Sequence, residues 1–187
     1  LWFGDPVYRF HPIRLIGSLL SYIERWLFAR GLNGYTGGIL LGLLLLGIVL
    51  GFYFLLQKLF GSLHLVLGWS LDLFLGYSLL ALRDLEIHGL RVWRATADGN
   101  LMKAWEEVSQ LVGRDVERLD LAGCNRATLE SLSENLSDGV VSPLIWLTLV
   151  GIPGMLAFKV ISTMDSMVGY HNARYLRFGW FGARADD

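Results

Sequence analysis

A single cysteine, Cys124, stands among 187 residues, which excludes an internal disulfide framework and leaves no thiolate set for a zinc site. No base lies beside it in sequence, so a nucleophilic role is not expected. Charge is sparse as well: 18% of the residues are Asp, Glu, Lys or Arg, against about 25% in ordinary soluble domains. Sixteen Lys and Arg face seventeen Asp and Glu, for a net charge of −1. Such a balance provides no basic stripe for a polyanion, and nucleic acid is not an expected partner. Also missing are a Gly-Lys-Ser/Thr phosphate loop, a His-Glu-x-x-His pair and a Gly-x-Ser-x-Gly elbow. The opening residues include Asp5 and Pro6 and carry no legible secretory leader. Beginning at Leu1 and stopping at Asp187, the chain is expected to be incomplete at both ends.

What is abundant is apolar sequence, 53% of the chain, which excludes disorder and points toward lipid. No charge occurs from Gly31 to Gln57, and Ile39 to Leu56 is almost wholly Leu, Ile, Val, Phe and Gly. That run is long enough to cross about 30 Å of hydrocarbon as a helix. A second apolar stretch, Leu59 to Leu82, carries only Asp72 as a formal charge and reads as a returning span. Asp72 should face protein or water, since a carboxylate in lipid is costly; a place near an interface with no chemical role is the alternative. The third stretch, Gly139 to Phe158, is uncharged but interrupted by Pro143 and by Gly151-Ile152-Pro153-Gly154. Proline inside a helix removes a donor and clashes with the preceding turn, so a re-entrant or broken segment is expected there.

Four basic residues lie in 1–36, one at Lys58, seven in 83–139 and four in 159–187. A hairpin of the first two stretches would put 1–36 and 83–139 on one side, and their basic excess makes that side cytoplasmic. Re-entry of the third stretch would keep 159–187 there too. The expected fold is therefore all-α: a polytopic integral membrane protein, one domain over 1–187, with a transmembrane hairpin and amphipathic cytoplasmic helices. Among these, residues 13–29 place Ile13, Ile16, Leu20, Ile23 and Leu27 at helical spacing and suit a bilayer surface. Asn100 is placed to cap a helix carrying Leu101, Trp105, Val108 and Val112, with Gly113 at its end. Asp120 is placed to cap another through Leu121, Leu129, Leu132 and Leu136.

Helical spacing puts Arg126, Glu130, Glu134 and Asp138 in one column. Its three carboxylates want a counter-charge, from Arg126 or from a divalent cation bound through oxygen; a solvated acidic face is the alternative. From Lys159 to Arg174 a helical wheel segregates. Val160, Ile161, Met164, Met167 and Val168 form the apolar face. Lys159, Ser162, Thr163, Ser166, Gly169, Tyr170 and Arg174 lie opposite, with Asp165 and Asn172 at the edge. Cations, hydroxyls and a close-approach glycine suit a phosphorylated or carboxylate-bearing ligand, although a polar surface helix gives the same pattern. Met164 and Met167 read as packing. At the start, Gly4-Asp5-Pro6 and His11-Pro12-Ile13-Arg14 make two proline-fixed turns in which His11 is a candidate base or a structural residue.

These segments resemble the CobD/CbiB family of cobalamin biosynthesis. The likeness rests on Gly4-Asp5-Pro6, His11-Pro12-Ile13-Arg14-Leu15-Ile16-Gly17, Val112-Gly113-Arg114-Asp115 and Ser133-Glu134-Asn135 with Asp138-Gly139 and Pro143-Leu144. It continues through Lys159 and Thr163-Met164-Asp165-Ser166-Met167-Val168-Gly169-Tyr170 to Ala183-Arg184 and Asp186-Asp187. Val116 stands where the family usually has Thr, and Ser162 where it has Asn. The resemblance implies a multi-pass protein of the cell membrane that works as an adenosylcobinamide-phosphate synthase. It would join the corrinoid substrate, adenosylcobyric acid, to aminopropanol or (R)-1-amino-2-propanol phosphate through an amide bond. ATP and magnesium are implied, because an unactivated carboxylate does not condense with an amine in water. Glu134, Asp138, Asp165, His11 and Asp115 are then the expected catalytic residues, with Glu134 and Asp138 also the metal ligands. Arg114, Asn135, Lys159, Ser166, Gly169 and Arg174 are the expected substrate contacts. Other cobalamin-pathway enzymes are expected partners beside the bilayer. The competing class is a non-catalytic membrane scaffold or transporter component for corrin metabolism.

Overall fold

The computed structural model describes residues 11–80, 82–112 and 115–186. Among them there are helices and connecting turns and no strand. They gather into two compact units, one from Leu80 to Ser142 and the other from the flanking segments up to Leu79 and from Pro143.

In the flanking-segment unit, α1 (Pro12–Phe28) begins at Pro12, whose fixed φ suits the first helical position. The expected stripe holds: Ile16, Leu20, Ile23 and Leu27 are buried against Leu41 and Leu45 of α2 (Tyr35–Leu63). At 29 residues, α2 is about 43 Å long and is the one described helix long and apolar enough to cross a membrane. The returning stretch is divided. His64 adopts an extended backbone, its Nδ1 accepts from the Val66 N–H, and the chain turns into α3 (Leu65–Ser78). Residues 59–63 therefore finish α2. With 14 residues, α3 is about 21 Å long, short of a perpendicular crossing. Both helices turn large apolar side chains outward, with Leu73 76% exposed.

Pro143 does not break its helix. Ahead of α7 (Ser142–Val150) the chain widens into a π-helical turn over Ser137–Val141, and the Ser142 N–H bonds to the Ser137 carbonyl. Widening relieves the clash that a proline ring would make with the carbonyl four residues earlier. The break falls at Gly151, whose φ of +78° a side chain would oppose. Helix α8 (Ile152–Val168) starts there with Pro153 in its first turn. Its Val160, Met164 and Val168 enter the same core as α1 and α2, so the two methionines pack as expected. Helix α9 (Trp180–Asp186) packs on α8 and α2.

In the other unit, α4 (Leu82–Ala97) and α5 (Leu101–Ser109) form a hairpin against α6 (Leu121–Leu136). The expected caps form: Asn100 Oδ1 accepts from the Lys103 N–H at 3.0 Å, and Asp120 Oδ1 from the Gly123 N–H at 2.7 Å. The expected helix through Leu121, Leu129, Leu132 and Leu136 is α6, and its buried face is made of small side chains. Cys124, Ala127, Thr128 and Ser131 face inward, while Leu129 is 66% exposed. Small side chains let α4 approach closely, Leu132 meets it at Gly89, and Leu121 packs on the core the two helices share. Gly113, the expected end of α5, lies outside the described residues.

Candidate functional site

The expected site residues divide between the two units. In the α4–α6 unit, Glu134 is exposed near the end of α6, and Asp138, half-buried, sits in the π-helical turn. The turn interrupts the four-residue spacing, so Asp138 departs from the column through Glu130 and Glu134. Asn135 is held locally: its Nδ2 donates to the Ser131 carbonyl at 2.8 Å and to Ser131 Oγ at 3.2 Å, while Ser131 Oγ donates to the Leu111 carbonyl at 2.9 Å. Asp115 is exposed and its Oδ1 accepts from the Glu117 N–H, a short turn of the kind aspartate favours. Arg114 lies outside the described residues. Burial, with the Asp120 carboxylate as a smaller cause, pushes the Cys124 thiol up.

Two carboxylates beside a helical irregularity are hard oxygen donors. Among the described residues no group of three His, Cys, Asp or Glu is placed to hold a metal. Glu134 and Asp138 therefore fit magnesium only in its usual nucleotide-site form, with one or two carboxylates joined by waters and substrate phosphates.

In the other unit, Lys159 is only 7% exposed within an otherwise apolar part of α8, and its carbonyl accepts from Thr163 Oγ1 at 2.6 Å. Asp165 is half-buried and Ser166 exposed on the same helix. Gly169 closes the helix: its N–H donates to the Asp165 carbonyl at 2.8 Å, and an added Cβ would stand 2.6 Å from that oxygen and against the Asp165 carboxylate. The close approach made at Gly169 is thus to Asp165. His11 is buried at the N-cap of α1, its carbonyl accepting from the Leu15 N–H at 3.0 Å.

Arg174 is engaged by a residue that the motifs did not single out. Its Nη2 donates to Oε1 of Glu24 at 2.9 Å, and the Tyr175 hydroxyl donates to the same oxygen at 2.9 Å. This carboxylate supports the positive charge of Arg174, while burial and Glu24 push the Tyr175 phenol up. One signal for Glu24 was legible: it falls at the edge of the α1 apolar stripe, where a charge calls for a partner. Asp72 also found protein, accepting from the Tyr53 hydroxyl at 3.0 Å. An apolar groove of about 410 Å³ on α1, α2, α3 and α8 is lined by apolar side chains and Tyr53 and by none of the expected site residues.

Among the described residues the architecture is all-helical, with one apolar helix of span length. The family model described as CobD/Cbib protein matches residues 1–187, and the chain belongs to that family. It is 40% identical over 187 residues to "Cobalamin biosynthesis protein CobD" of Geobacter metallireducens, covering 100% of this chain and 59% of the relative. Proteins of the same name from Clostridium perfringens and a Sinorhizobium species are 35% and 39% identical, each covering 98% of this chain and 59% of the relative. The chain thus spans about three-fifths of the length of these curated relatives. No solved structure matches it.

Proposed function

We propose that this chain contributes to amide-bond formation between adenosylcobyric acid and aminopropanol or its phosphate, within a multi-pass protein of the cell membrane whose motif residues face the cytoplasm. The observation that carries this reading is the match of the CobD/Cbib family model over residues 1–187. Lys159, 7% exposed on α8, is the buried cation among the motif residues. The nucleotide and magnesium would supply an activated carboxyl group, and Glu134 and Asp138 are the residues that would hold the metal. Lys159 stabilises oxyanion charge, and Arg174 binds phosphate oxygens through its exposed edge. Asp165 orients the amine, and either His11 or Asp115 accepts the proton it loses.

Turnover by the full-length protein in lipid, compared with Lys159→Met, tests the reading. Methionine keeps much of the length and removes the charge, so product formation should fall by about a hundredfold or more while the unfolding midpoint stays within a few degrees. Unchanged turnover would remove Lys159 from the reaction, and no turnover by the wild type would return the chain to the competing class, a non-catalytic membrane subunit.

A further inference from the structure

The Glu24–Arg174 pair is asymmetric. Glu24 is only 7% exposed, whereas the Arg174 side chain is 56% exposed. Taking a carboxylate out of water is expensive, and a largely solvated guanidinium returns little Coulomb energy through high dielectric. As a device for stability the pair is therefore poor. As a device for orientation it is well made. Nη2 is fixed on Glu24 Oε1, and the guanidinium carbon lies 4.9 Å from the Phe28 ring centroid. Asn172 Oδ1 accepts from the N–H groups of both Arg174 and Tyr175 at 3.0 Å, which sets the turn that carries them. Over half of the Arg174 side chain faces solvent beyond its bond to Glu24. A planar fork held on one edge by a buried acid and on one face by an aromatic ring keeps its free edge for an oxyanion.

We infer that Glu24 is a positioning residue that aims Arg174 at the phosphate of a phosphorylated amine, so that preference for the phosphorylated over the unphosphorylated substrate originates in this pair. The inference rests on the amine substrate of the proposed function. Tyr175 shares the carboxylate oxygen without contributing to the selectivity.

The test is calorimetric binding of aminopropanol phosphate and of aminopropanol to the full-length protein in nanodiscs, with kcat and KM measured in parallel. Glu24→Gln should weaken aminopropanol phosphate about tenfold and aminopropanol less than about twofold. KM for the phosphorylated amine should rise with kcat unchanged, which a merely structural defect would not produce. Adding Arg174→Ala to Glu24→Gln should cost little more than Arg174→Ala alone, since the two act as one unit. Tyr175→Phe should leave the selectivity intact. Should Glu24→Gln not fold, Glu24→Asp, which withdraws the charge by one methylene, gives the same readout. Equal weakening of both amines, additive effects in the double variant, or a wild type that binds both amines alike would overturn the inference. Selective binding without any amide product would overturn the proposed reaction and leave this inference standing.

Discussion

Tyr53 donates its phenolic hydrogen to Asp72 Oδ1 across 3.0 Å, tying the long apolar helix α2 to α3. Gln57 completes the knot, with Nε2 at 3.4 Å from both the Tyr53 hydroxyl and the Gly68 carbonyl. A carboxylate among apolar side chains is tolerated because it is bonded. Tyr53→Phe should lower stability in detergent by about 1.5–3 kcal/mol, the range for a hydrogen bond to a charged group. Asp72→Asn keeps an acceptor and should lose less. Equal losses in the two variants, measured by denaturant unfolding, would show that the bond does not hold the helices together.

Gly169 sits where α8 ends, and a Cβ there would press on the Asp165 carbonyl and carboxylate. Backbone cannot yield cheaply, so Gly169→Ala should cost about 1–3 kcal/mol. Gly17→Ala is the control. Its Cβ would rest 3.4 Å from the flexible end of Met167, and within a helix alanine is favoured over glycine by about 1 kcal/mol. Unfolding midpoints that move equally in the two variants would contradict this distinction.

The raised pKa of Cys124 sets a pH dependence. The folded chain holds the thiol proton to higher pH than the unfolded chain does. Stability from the neutral thiol is therefore complete below about 8.5, the ordinary thiol range, and declines as pH rises through the folded value. Alkylation by iodoacetamide needs the thiolate and access, and Cys124 is buried. At pH 8 its rate should be at least about a hundredfold below that of a free thiol and should rise to that level in denaturant. Rapid labelling of folded protein would refute the buried placement.

The α7–α8 break bears on topology. A cysteine introduced at position 177 should be shielded from impermeant reagents in intact cells, because the proposed arrangement keeps 159–187 on the cytoplasmic side. Labelling from outside would mean that residues 139–158 cross completely, with the first hairpin unaffected.

Features that depend on neighbours in sequence were legible. The α1 stripe, the Asn100 and Asp120 caps, the charge-free run of α2 and the Gly151 break all follow from local spacing and backbone chemistry. Features made by distant residues were not. Glu24 and Arg174 lie 150 residues apart, and neither α1 nor the turn after α8 announces the other. The inward face of α6 depends on its neighbour: close approach of α4 suits Cys124, Ala127 and Ser131, which the spacing of the leucines does not disclose. Wheel position puts Lys159 on a polar face, yet the residue is buried. A wheel sorts residues by angle and is blind to what packs against each side. Of the site, the motif residues were legible as candidates; the π-helical placement of Asp138 and the contact of Gly169 with Asp165 needed three dimensions.

The central claim, that the intact protein forms a corrinoid amide, is tested most directly by mass spectrometry of the corrinoid after incubation with adenosylcobyric acid, aminopropanol phosphate, ATP and magnesium. Wild-type protein in lipid should yield the mass of adenosylcobinamide phosphate. Glu134→Gln should yield less by orders of magnitude, and Glu130→Gln nearly as much as wild type. Unchanged adenosylcobyric acid with wild-type protein would contradict the account.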